Sequence, residues 1–118
     1  MGPRVKTYSG QTGHVYEYVF VRREKKRRRW WKRGTAYLFE IRGQRRAAFM
    51  VAVFVADDAL ETWAGGHRRD LSSTEQYALA KMRLFRAFDE VERMERDGRD
   101  LVVDRSGIEG LLAALDIS

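Results

Sequence analysis

A chain of 118 residues, 44% of them hydrophobic, suffices for one domain around one small core. It holds no cysteine, which excludes disulfides, thiolate metal sites and a cysteine nucleophile, and its most apolar run, Ala47–Ala56, is far short of the ~20 residues of a membrane helix. The net charge of +6 is unevenly placed: Arg22–Arg33 holds nine basic residues and one acid, +8, while the rest of the chain, with 14 basic and 16 acidic residues, carries −2.

Residues 1–13, with Gly2, Ser9, Gly10 and Gly13, have the composition of a flexible leader ahead of one domain over 14–118. His14–Val21 (HVYEYVFV) is β-branched and aromatic with no helical period, which predicts a strand. Arg28–Arg42 predicts a second strand, with Gly34 as its bulge. Arg42-Gly43-Gln44-Arg45 predicts a tight turn into a third strand over Arg46–Val55. Connections this short favour an antiparallel meander, because a parallel crossover needs about a dozen residues or more.

Helices are expected next. Asp58 with Glu61 has the spacing of a helix start, and Gly65-Gly66 stops that helix after Trp63. Ser72 with Glu75, or Ser73 with Gln76, opens a long helix to about Arg96, whose apolar stripe includes Tyr77, Leu84, Phe88 and Val91. Its outer face offers the opposite-charge pairs Arg86–Glu90, Asp89–Arg93 and Glu92–Arg96. Leu101–Asp104 predicts a short edge strand, and Ser106 with Glu109 caps a last helix. The expected fold is α+β, order β-β-β-α-α-β-α, a three- or four-stranded antiparallel meander with helices packed on one face.

Pairing the first two strands puts a basic hairpin at 22–33. Arg22, Arg23, Lys25, Lys26, Arg27, Arg28, Arg29, Lys32 and Arg33 are the candidate phosphate contacts, since a polyanion relieves their mutual repulsion and releases its own counterions on binding. Trp30 and Trp31 strengthen this reading: neighbours on a strand face opposite ways, so one ring is expected in the core and the other among the cations, where it can stack on a base or wedge between bases. Tyr16, Tyr18 and Phe20 on one strand, with Tyr37 and Phe39 on the next, form a second candidate stacking platform. Both sheet faces read as more apolar than one helical layer can cover, which predicts a homodimer or a face that holds bases.

Signs of chemistry are weak. His67 and Asp70 stand three residues apart with no further ligand set, so neither a metal nor another cofactor is expected. Asp57-Asp58 near a basic hairpin admits a metal-dependent nuclease, although helix capping accounts for Asp58 more simply. The sequence therefore points to a non-enzymatic nucleic-acid-binding protein that favours single-stranded DNA or RNA. The competing reading is a regulatory module whose hairpin docks on an acidic protein partner. Absence of a signal-peptide pattern and of cysteine sets the expected compartment as cytoplasmic, with a nucleoid-associated or nuclear location compatible with the basic segment.

Overall fold

A computed structural model of the chain describes residues 4–11, 13–43 and 47–118. Five strands and four helices follow in order: β1 (Lys6–Ser9), β2 (Val15–Arg28), β3 (Lys32–Gly43), β4 (Phe49–Ala56), α1 (Asp57–His67), α2 (Ser73–Glu90), α3 (Met94–Asp97), β5 (Asp100–Val103) and α4 (Ile108–Ala114). The fold is α+β. Its sheet has five strands in the order β1-β2-β3-β4-β5, the first four antiparallel and β5 parallel to β4. This corrects the expected purely antiparallel meander of three or four strands: α1, α2 and α3 together make the long crossover that a parallel neighbour requires. Among the described residues no helix is long and apolar enough to cross a membrane.

One expectation fell on residues 1–13. Within that segment Lys6–Ser9 pairs with β2, Tyr8 opposite Tyr16, so the part over β1 is strand rather than flexible leader. Tyr8 explains why four polar residues hold an edge: its ring stacks on Phe85 at 4.4 Å, and its hydroxyl donates to Asp89 Oδ2 at 2.8 Å. Residues Gln44, Arg45 and Arg46, which complete the turn expected at 42–45 and open the third strand, lie outside the described residues.

Alternation along the strands sorts side chains to two faces. Tyr18 pairs with Ile41, Phe20 with Phe39, Phe39 with Val51 and Tyr37 with Val53, so these residues share the inner face, under the helices. There α2 supplies the opposing rings: Phe88 stacks on Tyr16 at 4.3 Å, Phe85 meets Tyr18 edge-on at 5.4 Å, and Tyr77 meets Phe20 edge-on at 5.0 Å. Tyr16, Tyr18, Tyr37 and Phe39 are buried and Phe20 is half-buried. The expected stacking platform is therefore core, because α2 offers these rings apolar partners at contact distance and leaves no open face for a base.

The outer face carries Leu38, Glu40, Met50, Ala52 and Phe54 with no helical layer over it. It is mixed rather than uniformly apolar, and Ala36 and Phe54 are nevertheless buried there within the one chain. Leu38, Met50 and Ala52 stay part-exposed on this face.

The bulge falls at Val21, between the pairs Phe20–Phe39 and Arg22–Leu38, and not at Gly34. Gly34 sits in regular register opposite Lys26, and glycine is required there for a different reason. A Cβ at that position would collide with the Val55 carbonyl and stand 2.6 Å from the Phe54 ring.

Helix α1 begins at Asp57 with Ala56 as an N-cap that gives no side-chain bond, so Asp58 is a first-turn acid, favourable to the helix dipole, rather than the cap. The last helix likewise starts after Gly107 without a side-chain cap, because the Ser106 hydroxyl bonds Asp104 instead. Helix α2 ends at Glu90, six residues before the expected stop, and a separate turn forms α3. Asp89, expected to pair with Arg93, instead accepts from the Tyr8 hydroxyl and the Gln11 backbone N–H. At its other end α2 has the expected capping box: Glu75 N–H bonds Ser72 Oγ, and the Glu75 carboxylate accepts from Ser72 N–H.

Two measurements test this architecture. Phe88 is fully buried between the sheet and α2, so Phe88→Ala should lose about 3–5 kcal/mol in urea unfolding, whereas Arg27→Ser should stay within about 0.5 kcal/mol of the parent. The reverse order would refute the assignment of core and surface. The bidentate Arg69 guanidinium, with the Ser72 N–H, holds the Glu75 carboxyl at about 2, below its ordinary 4.5. A lowered folded-state value favours the fold above about pH 4.5, and that contribution disappears as the pH falls toward 2. Between those limits the parent should lose more stability than Glu75→Gln; superimposable profiles would contradict the role given to this cap.

Candidate nucleic-acid interface

The basic hairpin is the upper half of the β2–β3 ribbon. Its ladder continues through Arg23–Tyr37, Lys25–Thr35, Arg27–Arg33 and Arg28–Lys32. Cross-strand partners share a face, which divides the cations into two rows. Arg23, Lys25, Arg27 and Arg33 continue the inner face beyond the helices, while Arg22, Lys26, Arg28 and Lys32 continue the outer face. Glu24, the single acid, is on the outer row and receives Arg22 Nε at 3.4 Å. At the root of the inner row Arg23 faces Tyr37, whose hydroxyl makes no hydrogen bond of good geometry. Burial raises the Tyr37 pKa, and the nearby Arg23 charge opposes that rise.

Between the strands Arg29, Trp30 and Trp31 form the turn. The tryptophans thus do not alternate across a strand, and neither enters the core: Trp30 is 80% exposed and Trp31 57%. This corrects the expected division into one core and one surface ring. Alternation applies to extended backbone, and the chain reverses at these residues. Arg29 is in the left-handed region at φ 55°, a conformation that costs a residue with a Cβ about 1–2 kcal/mol.

The ribbon does not run straight out from the sheet. Asp100 pairs with Ala52, Ala52 with Leu38, and Leu38 with Arg22, so a flat sheet would set Arg28 three strands away from Asp100, roughly 14 Å. It would also displace Arg28 six residues along the strand, roughly 20 Å, beyond the reach of an arginine. Yet Arg28 donates to Asp100 Oδ1 at 2.7 Å. The ribbon therefore curls over the outer face, helped by the Val21 bulge, which bends a strand and increases its twist. Bare of a Cβ, Gly34 lets the Phe54 ring lie against the ribbon at that bend.

Acids of the chain meet this curl. Asp100, Val102 and Asp104 alternate along β5 and just past it on the outer face, and the Asp104 carboxyl is held below its usual range by the Ser106 hydroxyl, the Gly107 and Ser106 N–H groups and the Lys32 charge. Asp57, Asp58 and Glu61 of α1 line a recess with Trp31, Lys32 and Arg33. The carboxylates thus gather along the Lys32–Arg33 side. Trp30 is left open to solvent, while Asp57 stands beside the Lys25–Arg27 run on one side and Asp100 on the other.

The other candidates separate from this site. His67 bonds Glu109 at 2.7 Å and stacks on Trp63 at 4.2 Å, and Asp70 is not its partner. Among the described residues no three His, Asp or Glu side chains gather as a metal-holding group. Arg99, Asp100 and Asp104 are the residues beside the hairpin that sequence reasoning missed. For the two acids there was a signal, since the alternation Asp100-x-x-x-Asp104 around an apolar edge strand marks a face that meets cations. For Arg99 there was none, because only the curl brings it near the hairpin. Comparisons with family models, with curated proteins and with solved structures find no match to this chain.

Proposed function

We propose that the protein binds nucleic acid, with single strands favoured, and that it does so without catalysis, through the curled hairpin. One observation carries this reading: the two most exposed large hydrophobic side chains among the described residues, Trp30 and Trp31, stand together at the tip of a ribbon bearing nine cations. A tryptophan forgoes a large burial when left in water, and the left-handed Arg29 adds a backbone cost to holding them there. A strand of nucleic acid repays both terms. Its phosphates neutralise the cation rows with release of counterions, and unpaired bases offer faces to the indoles. A duplex keeps its bases stacked on one another, so the exposed pair favours single strands.

A second reading has its own support. Arg28 already donates to a carboxylate of this chain, Asp100, so the ribbon also suits an acidic protein surface. The indoles favour bases over carboxylates. Partners captured by the protein that survive nuclease treatment would favour the protein-docking reading.

Salt-dependent titration of a single-stranded oligonucleotide separates the two contributions. Each phosphate neutralised adds about −0.7 to the slope of log affinity against log salt. Arg27→Ser and Arg29→Ser should each flatten the slope by about 0.7. Trp30→Ala or Trp31→Ala should lower affinity by about 1–3 kcal/mol per base stacked while leaving the slope and the folding stability unchanged. If tryptophan variants bind like the parent and arginine variants do not, the hairpin is a plain electrostatic clamp; if neither set alters binding, the reading fails.

A further inference from the structure

The curl creates a cleft that the linear hairpin would lack. Between the ribbon tip and the β4–β5 edge lies a space of about 530 Å³, walled by Lys26, Arg27, Arg28, Arg29, Arg99 and Asp100. Its floor is Ala36, Ala52 and the edge of Phe54. Five cations against one carboxylate give this cleft +4, from segments some 70 residues apart in sequence. The cleft falls within the size range of small-ligand sites, which suits one nucleotide of a single strand.

Arg99 is held for such a role. Its Nε donates to the Met50 carbonyl at 3.2 Å and its guanidinium lies 5.8 Å from the Phe49 ring centroid. Those contacts fix the side chain through one nitrogen and leave the terminal amino groups for an anion. Opposite, Arg28 is occupied by Asp100 at 2.7 Å, although both side chains are substantially exposed, at 39% and 65%. Exposed ion pairs are worth little in water, so a phosphodiester can displace this one at small cost.

We propose that this cleft is a phosphodiester site of the bound strand, with Arg99 as its far wall, and that Asp100 occupies Arg28 in the free protein and yields it to phosphate on binding. The strand then runs from the tip across the outer face of the sheet to the β5 edge, rather than along the hairpin alone. Asp100 acts as a built-in competitor that lowers affinity for stray anions. This inference rests on the nucleic-acid reading of the hairpin and adds to it a site and a direction.

The test uses the full chain, a single-stranded oligothymidylate and a duplex of equal length. Arg99→Ser should weaken single-strand binding and flatten the salt slope by about 0.7, the loss of one phosphate contact. Asp100→Asn should do the opposite, tightening binding and steepening the slope by about 0.7. Relative to the parent, each variant's affinity should then shift by about threefold between 50 and 200 mM salt. Both changes should be smaller on the duplex. Glu92→Gln, the same change of charge in an exposed loop away from the cleft, serves as control and should leave the slope alone. In an Arg28→Ser background the gain from Asp100→Asn should vanish, since Asp100 is argued to act through Arg28. All the variants lie at exposed or half-exposed positions, and their thermal transitions should match the parent's. If the parent binds the oligonucleotide while Arg99→Ser and Asp100→Asn leave affinity and slope unchanged, or if Asp100→Asn gains equally without Arg28, the cleft proposal is overturned and the hairpin reading stands. If the parent binds neither oligonucleotide, the hairpin reading itself falls.

Discussion

The aromatic seam between α2 and the sheet is the interaction on which the rest of the structure depends. Phe88 stacks on Tyr16, Phe85 on Tyr8, and Tyr77 meets Phe20 edge-on. Offset and edge-on pairs of this kind add about 0.5–1.5 kcal/mol each beyond the area they bury. The seam secures the two strands farthest from β5, including a β1 of only four residues, and it orients the sheet so that all long helical packing falls on one face. A ring committed to that seam cannot also hold a base. The seam aromatics therefore serve stability, and the recognition we propose falls to the part of the chain that the seam does not reach.

That part is the ribbon above Val21. Nine cations cannot enter a small core, because burying an unpaired charge costs far more than a helix or strand can return. They are solvated along a two-stranded extension, and the extension is bent back by the bulge and by the close approach of Phe54 to Gly34. Bending creates a concave surface lined with positive charge, and it brings Arg99 and Asp100 into a site that the hairpin alone does not define. The same curvature lets long cationic side chains shelter apolar positions of the outer face, as lysine and arginine stems commonly do. Phe54 is buried to 3% exposure on a face without helices. Stability of the outer face and presentation of charge are thus one feature of the backbone.

Much of the fold was legible in the residues. Period-two aromatic runs gave β2, β3 and β4, the Ser72–Glu75 spacing gave the start of α2, and the apolar Leu101–Val103 segment gave β5, whereas Gly65-Gly66, expected to end α1 after Trp63, lie inside a helix that runs on to His67. The parts that were not legible depend on tertiary partners. Lys6–Ser9 has no strand signature of its own, and it is Phe85, Phe88 and Asp89 that make Tyr8 worth ordering. The stop of α2 at Glu90 is equally hidden, since Asp89 looks like a helical ion-pair residue until Tyr8 and Gln11 claim it. For the candidate site, the cation run was plain in one dimension. The orientation of Trp30 and Trp31 was not, because it turns on whether the chain reverses at 29–31 or one residue to either side. Arg99 was beyond reach, since its place in the site follows from a curvature that no local pattern encodes.

Tryptophan emission tests the central claim, that the hairpin tip meets unpaired bases, most directly. The chain has three tryptophans; Trp63 is buried and stacked on His67, whereas Trp30 and Trp31 are open to solvent at the tip. Titration with a single-stranded oligothymidylate should quench the exposed pair to a saturable limit and leave the Trp63 component in place. An abasic strand of the same length and charge should bind more weakly and leave the emission nearly unchanged. Equal affinity for the two strands, with no quenching by either at saturation, would contradict the account.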